Sequence, residues 1–305
     1  MAIIPETNNK VEKIQIVFFG SGPVAAQSLK QIEKSFEIEA IITKPTTMRE
    51  MDVLRSKKPI FSVTSKLDLD SFLSKNKFES KIAILIDFGI IVSQKAIECF
   101  EFGIVNSHFS LLPQLRGADP ISFSILTGQE KTGVSLMLID SGMDTGKLIA
   151  QKSITISQDA DSISLTRDLI NLSAQMLSLN LPKYQIGEIK PRSQPHPDRA
   201  TYSRKLTKDD GILDFNKSAK ILEREIRAFT GWPKSRTTIF DKDVIVLGAS
   251  VDQKSKGKIG TVFKTEDKKI AIQTSEGALI IDTLKPAGKN VMTSEAFLAG
   301  YGSKL

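Results

Sequence analysis

Residues 14–19, IQIVFF, form an unbroken apolar run that stops at Gly-Ser-Gly-Pro, and a stretch with helical spacing follows from Val24 to about Lys34. The alternation then repeats. Apolar segments at 38–43, 60–63, 81–86 and 103–106 are separated by helix-like or loop segments, notably 68–76 and 93–99. Strands that are apolar on both faces and spaced by helices predict a doubly wound α/β domain around a mostly parallel sheet. Farther on the rhythm changes: TGVSLMLI at 132–139 and LIAQKSITI at 148–156 flank the turn-rich DSGMDTGK, and 162–181 has helical spacing. These read as a closing antiparallel pair and a covering helix.

The stretch KPRSQPHPDRATYSRKLTKDD, with three prolines and six basic residues, has little apolar content and reads as an extended linker. Beyond it Ser218 is placed to cap a helix over 219–229, in which Ile221, Leu222, Ile226 and Phe229 fall near one face. Short strand runs follow at 235–240, 243–250, 259–264, 269–274 and 278–284. Five short strands joined by Gly, Asp and Lys turns predict a small β-barrel of the oligonucleotide-binding kind. The expected organisation is a first domain over 1–189, a basic linker over 190–208 and a second domain over 209–305.

At 305 residues, 40% hydrophobic and 25% charged, the composition is that of a globular chain and excludes disordered, collagenous or fibrous classes. One cysteine, Cys99, and two histidines, His108 and His196, make neither an internal disulfide nor a thiolate zinc cage, so no metal centre is expected. No apolar stretch approaches the length of a membrane span and the N-terminus lacks the pattern of a leader, which predicts a soluble cytoplasmic protein. The net charge of +7 is unevenly placed. Residues 1–189 carry 20 Lys and Arg against 21 Asp and Glu, residues 190–208 carry 6 against 1, and residues 209–305 carry 16 against 13. A basic back half suits a polyanionic partner, or serves only as solubilising charge.

Two glycine-rich turns stand out. GSGPVA at 20–25 satisfies the dinucleotide fingerprint, but the second strand ends in Thr43-Lys44-Pro45, where such a site needs an acidic residue for the ribose. Gly20 and Gly22 are therefore either a structural tight turn or a floor that lets a substrate approach the backbone. The segment VNSHFSLLPQLRGADP, 105–120, carries more chemistry, because it lies at the carboxyl end of the fifth strand, where ligands of open α/β sheets gather. A period of two puts Asn106 and His108 on one face as neighbouring donors suited to an oxyanion. Such a pair can also simply satisfy loop backbone groups. In the second glycine-rich turn, DSGMDTG, glycines on either side of Asp144 allow a tight loop that aims its carboxylate inward; Asp140 is the lesser candidate and equally a turn former.

Asn-x-His-x-SLLP-x-x-RGA-x-P followed by SGMDTG resembles the 10-formyltetrahydrofolate-dependent formyltransferases. The likeness spans roughly residues 11–300, from IVFFGSGP to PAGKNVM, and takes in the linker phrase TYSRKLTKDDGILDF and LEREIRAFTGWPKS. The resemblance implies a Rossmann-like catalytic domain with an oligonucleotide-binding-like domain behind it, and catalytic Asn106, His108 and Asp144 without a metal. It further implies contacts to the folate cosubstrate by Ser110, Leu111, Leu112 and Pro113, and by the loop after the fourth strand that holds Phe88, Gly89 and Ile90. Likeness over both domains implies an acceptor amine on methionine esterified to a charged initiator tRNA, held partly by the linker and C-terminal domain, and so an enzyme of translation initiation; with no long heptad pattern in the chain, a monomer is expected. The alternatives are a formyltransferase for a nucleotide-linked amino sugar or glycinamide ribonucleotide, and a non-catalytic RNA-binding relative.

The chain departs from the family pattern in three places. Phe109 stands where glycine is usual, and Asp87-Phe88-Gly89 where an Ala-Tyr-Gly type sequence is common. The loop KPTTMREMDVLRSKKP lacks a Gly-Arg-Gly-Lys-Lys type insertion; Arg49, Arg55, Lys57 and Lys58 either replace it or are solvated charges. Trp232 and Cys99 are expected to be packing residues, and His196 a solvated linker residue.

Overall fold

In the computed structural model, which describes residues 13–45 and 58–302, the elements run in the predicted order. They are β1 (Gln15–Gly20), α1 (Gly22–Ile32), β2 (Glu37–Thr43), β3 (Ile60–Ser62), α2 (Lys66–Lys75), β4 (Ala83–Ile86), α3 (Gln94–Ile97), β5 (Ile104–His108), β6 (Arg116–Gly117) and α4 (Pro120–Leu126). There follow β7 (Lys131–Leu138), β8 (Leu148–Thr155), α5 (Ser162–Gln185), β9 (Tyr202–Ser203), α6 (Ala219–Ala228), β10 (Ser235–Ile239), β11 (Lys242–Asp252), β12 (Val262–Lys264), β13 (Ile270–Gln273), β14 (Ala278–Pro286), β15 (Met292–Thr293) and α7 (Ser294–Tyr301).

The described residues pack as two compact units that are not contiguous in sequence: those within 1–108, 134–152 and 170–195 form one, and those within 109–133, 153–169 and 196–305 the other. The first holds a seven-stranded sheet in the order β3-β2-β1-β4-β5-β7-β8. Strands β1 to β5 pair in parallel, and β7 enters antiparallel beside β5. That order is doubly wound about β1, as the apolar runs predict, since a strand such as β4 (AILI, buried at all four positions) has no solvent face to present. Val17, Phe19, Ile42, Leu69, Phe88 and Phe100 anchor one side of this sheet. Gly20 is fixed by packing: a Cβ there would lie 2.5 Å from the Phe18 ring, 2.7 Å from Ala25 and 3.0 Å from the Ile86 carbonyl. The first glycine turn thus lets α1 sit close on the sheet.

The second unit is built on an antiparallel half-barrel, β10-β11-β14-β13-β12 with β15 on β14. Its core gathers Leu222 and Ile226 of α6 with Ile239, Val246, Ile272, Leu284 and Phe297. Ser218 caps α6, its hydroxyl accepting from the Ile221 N–H. Helix α7 was not legible in the chain's periodicity, since it is short and enters the core chiefly through Phe297. In the same unit a short parallel pair joins Arg116–Gly117 to Tyr202–Ser203. The supposed extended linker is therefore laid down as secondary structure: Arg116 N–H donates to the Thr201 carbonyl, Leu115 N–H to the Thr201 hydroxyl, and Leu206 N–H to Asp119.

Three expectations fail. Ile221, expected on the apolar face of α6, is 42% exposed, because Leu222, Ile226 and Phe229 alone of that set turn into the core. Trp232 is 57% exposed, because it occupies the turn between α6 and β10 and not either element's apolar face. Cys99 is also exposed, its thiol donating to the Lys95 carbonyl just past the short helix α3. His196 is exposed, as expected. Of the loop cations, Arg49, Arg55 and Lys57 lie outside the described residues, while Lys58 is ion-paired with Glu37. Among the described residues, no helix is long and apolar enough to cross a membrane.

Candidate active site

Strand β5 sits between β4 and β7, with Asn106 opposite Leu85 on one side and Met137 on the other, and His108 opposite Ser135. Ladders on both sides hold its backbone, so the directions of its side chains are set to within their rotamers. Asn106 and His108 leave one face; Ser107 leaves the other and shares a 2.6 Å hydrogen bond with Ser173 on α5. All five residues of the strand are buried. A polar pair in such a place requires partners.

The partner comes from the turn between β7 and β8. Asp140 shapes it by accepting through Oδ1 from the Gly142 N–H at 3.0 Å and from the Thr145 hydroxyl at 2.7 Å. At the other end a Cβ on Gly146 would lie 1.7 Å from the Leu138 carbonyl oxygen, so the loop closes only with glycine there. Between them Asp144 takes a left-handed backbone, φ 52°, a conformation that aspartate tolerates better than most residues. Its carboxylate meets both strand residues: Asn106 Nδ2 donates to Oδ1 at 3.3 Å, and His108 Nδ1 lies 3.8 Å from Oδ2. The His108 and Asp144 side chains are 7% and 15% exposed. An amide, an imidazole and a carboxylate thus converge at the carboxyl end of a central strand, an arrangement able to bind a developing oxyanion and to move a proton beside it.

Gln194, which sequence reasoning did not single out, also reaches this loop. Its Nε2 donates to the carbonyls of Asp144 and Gly146, at 2.7 and 3.0 Å. No signal in the chain marks it, since a glutamine between prolines reads as solvated.

The loop after β4 opens at the same carboxyl edge, because β4 runs parallel to β5. Asp87 and Gly89 are left-handed, φ 48° and 66°, and the Asp87 carbonyl accepts from the Ser21 N–H at 2.8 Å. Phe88 turns into the core, 1% exposed and edge-on to Phe19 at 5.4 Å between ring centroids, so only its main chain faces the loop. Ile90 is partly buried against the same cluster. In the second unit, Ser110 donates to the Gln114 carbonyl at 2.6 Å, Leu112 is buried and followed by a cis Pro113, and Leu111 is half-buried. Phe109 is buried too, 6% exposed. Among the described residues, no three His, Cys, Asp or Glu side chains cluster as metal ligands would.

Residues 12–181 match the family model described as formyl transferase, and residues 205–302 the one described as formyl transferase, C-terminal domain. Among curated proteins, one from Myxococcus xanthus named methionyl-tRNA formyltransferase is 35% identical over 300 residues, covering 94% of this chain and 95% of that one. A protein of the same name from Roseiflexus castenholzii is 30% identical over 302 residues, covering 94% and 96%. In fold the chain is similar to HypX from Aquifex aeolicus in complex with tetrahydrofolic acid (TM-score 0.66, 17% identity, 96% of this chain and 48% of that one). It is equally similar to WlaRD, a sugar 3N-formyl transferase (TM-score 0.66, 20% identity, 92% and 100%).

Proposed function

This chain belongs to the formyl transferase family, and from that premise we propose that it moves the formyl group of 10-formyltetrahydrofolate onto the α-amino group of methionine esterified to initiator tRNA. The observation that carries the chemistry is the Asp144 carboxylate set between Asn106 and His108 at the end of a buried strand. The acceptor is supported by relatives of 30–35% identity that span both units and are named for methionyl-tRNA. The likeness to sugar formyl transferases is one of fold alone.

Folate supplies the carbon as a cosubstrate. The α-amino group of an aminoacyl ester has a pKa no higher than roughly 7.7–8.0, so a useful neutral fraction attacks at neutral pH without prior activation. As its nitrogen bonds to the formyl carbon, the carbonyl oxygen becomes negative. Asn106 Nδ2 carries two hydrogens, one directed to Asp144 and the other assigned to this oxygen. His108 turns Nδ1 towards Asp144, so Nε2 is the nitrogen assigned to the same oxygen. Each such donor is worth roughly 3–4 kcal/mol of transition-state stabilisation where water is excluded. Asp144 takes the proton shed by the attacking nitrogen and returns it, directly or through water, to the folate nitrogen as that carbon–nitrogen bond breaks.

The folate is assigned to the main chain of Phe88, Gly89 and Ile90 and, following the family, to Ser110, Leu111, Leu112 and Pro113. Residues 1–189 carry the chemistry in this reading. Residues 190–208 and 209–305 hold the RNA, consistent with where the positive charge falls. The protein acts as a monomer in the cytoplasm, where charged tRNA is used.

The test follows labelled formyl from 10-formyltetrahydrofolate to methionyl-tRNA, with a nucleotide-linked amino sugar as competitor. Label on the tRNA is expected. Label only on the sugar would replace the acceptor, and salt-dependent tRNA binding with no transfer would make the chain a binding protein.

A further inference from the structure

We infer that Gln194 is a positioning residue of the transfer reaction: its amide clamps the main chain at Asp144 and at Gly146, two residues beyond, and so sets where that carboxylate points. The inference rests on the proposed role of Asp144. A primary amide has two N–H hydrogens, and here Nε2 addresses two carbonyls, those of Asp144 and Gly146. The two acceptors are two residues apart in the same turn, so the Asp144–Thr145 and Gly146–Lys147 peptide planes are held together. The clamp is itself anchored. Gln194 is 7% exposed, and the segment bearing it is tied to β8 through reciprocal Arg192 and Leu148 hydrogen bonds of 2.7 and 2.9 Å.

The hold on the main chain matters because Asp144 is a left-handed residue in a loop whose tip is exposed, and its carboxylate lies 3.3 Å from Asn106 and 3.8 Å from His108. A shift of about 1 Å at a reacting group can lower a rate by about a hundredfold. Gln194 therefore acts on turnover through Asp144 without touching either substrate. The consequence for the architecture is that the first residues after α5 do more than connect: they complete the loop that carries the proposed proton acceptor.

The experiment uses the full chain with Gln194→Met, which keeps length and loses both donors, and Gln194→Glu, which keeps shape and turns acceptor against acceptor. Each is made alone and in an Asp144→Asn background. Turnover, KM for both substrates and the thermal midpoint are measured, with rates normalised to folded protein. Gln194→Met is expected to lower kcat by about ten- to a hundredfold with KM values changed by less than about twofold. In the Asp144→Asn background it should cost no more than about twofold further, because the group it positions is gone. A merely structural glutamine would lower the rate by the same factor in both backgrounds, and that result overturns the inference. So does full turnover in both Gln194 variants beside a crippled Asp144→Asn. Full turnover in Asp144→Asn alone removes the reading of Asp144 and the inference with it, and that single variant tells the two failures apart.

Discussion

The turn after β1 and the turn between β7 and β8 look alike in sequence, each a short glycine-rich break behind an apolar strand, yet they do different work. In the first, glycine admits a helix: the space a Cβ would take at Gly20 is filled by Phe18, Ala25 and the Ile86 carbonyl. In the second, glycine admits the chain itself: the Leu138 carbonyl occupies the Cβ position of Gly146, and the loop closes tightly enough to turn Asp144 towards β5. A glycine motif therefore reports a close approach without saying what approaches. Only in the second turn does the approach bring a carboxylate against the buried polar pair of β5.

Six substitutions test that contrast. The largest effect is expected at the converging groups: Asn106→Ala, His108→Ala and Asp144→Ala should each lower kcat by about a hundred- to a thousandfold while KM for the formyl donor changes little. A matching rise in KM at constant kcat, read in steady-state kinetics, would make these groups binders only. Gly146→Ala comes next. Its methyl group meets main chain and not a movable side chain, so the loop must shift, and turnover should drop at least about tenfold with Asp144 still present. Wild-type kcat in this variant would show that the turn's closure is unimportant to the carboxylate.

Gly20→Ala should separate stability from rate. Its neighbours are the Phe18 ring and the Ala25 methyl, with the Ile86 carbonyl slightly farther away. Overpacking of this kind costs about 1–3 kcal/mol, seen as a lower urea midpoint, with kcat of the folded enzyme within about twofold of wild type. If instead KM for a substrate rises strongly at unchanged stability, the first turn is a substrate floor after all. The smallest change is expected for Asp140→Asn. The amide oxygen can still accept from Gly142 and Thr145, so activity should fall by less than about twofold. A loss as large as that of Asp144→Ala would exchange the roles assigned to the two aspartates.

Much of this site was legible beforehand because it rests on local rules. Period two in an extended strand puts Asn106 and His108 on one face whatever surrounds them, and the glycines around Asp144 announce a tight turn. The cap at Ser218 was legible for the same reason, as were Leu222, Ile226 and Phe229 on the buried face of α6, though Ile221 was wrongly placed there. Gln194 was not, since its bonds join residues 48 and 50 positions apart in the chain. Phe88 shows the limit from the other side: the sequence singles out the loop, but whether its ring lines a pocket or the core depends on Phe19, far away in sequence. Trp232 was expected inside because tryptophan is mostly buried, and a turn position overrode that average.

By itself the chain determined most of the strands and longer helices, that the first sheet would be mostly parallel and buried, and which two side chains would stand together on β5. These follow from periodicities of two and 3.6 and from apolar runs, which act over a few residues. Tertiary structure alone decided that the carboxylate of a separate loop meets those two side chains, that a glutamine behind α5 clamps it, and that residues 109–133 pack with the second unit. Long-range contacts of this kind depend on how packed elements fit in space, and composition along the chain holds no record of that fit.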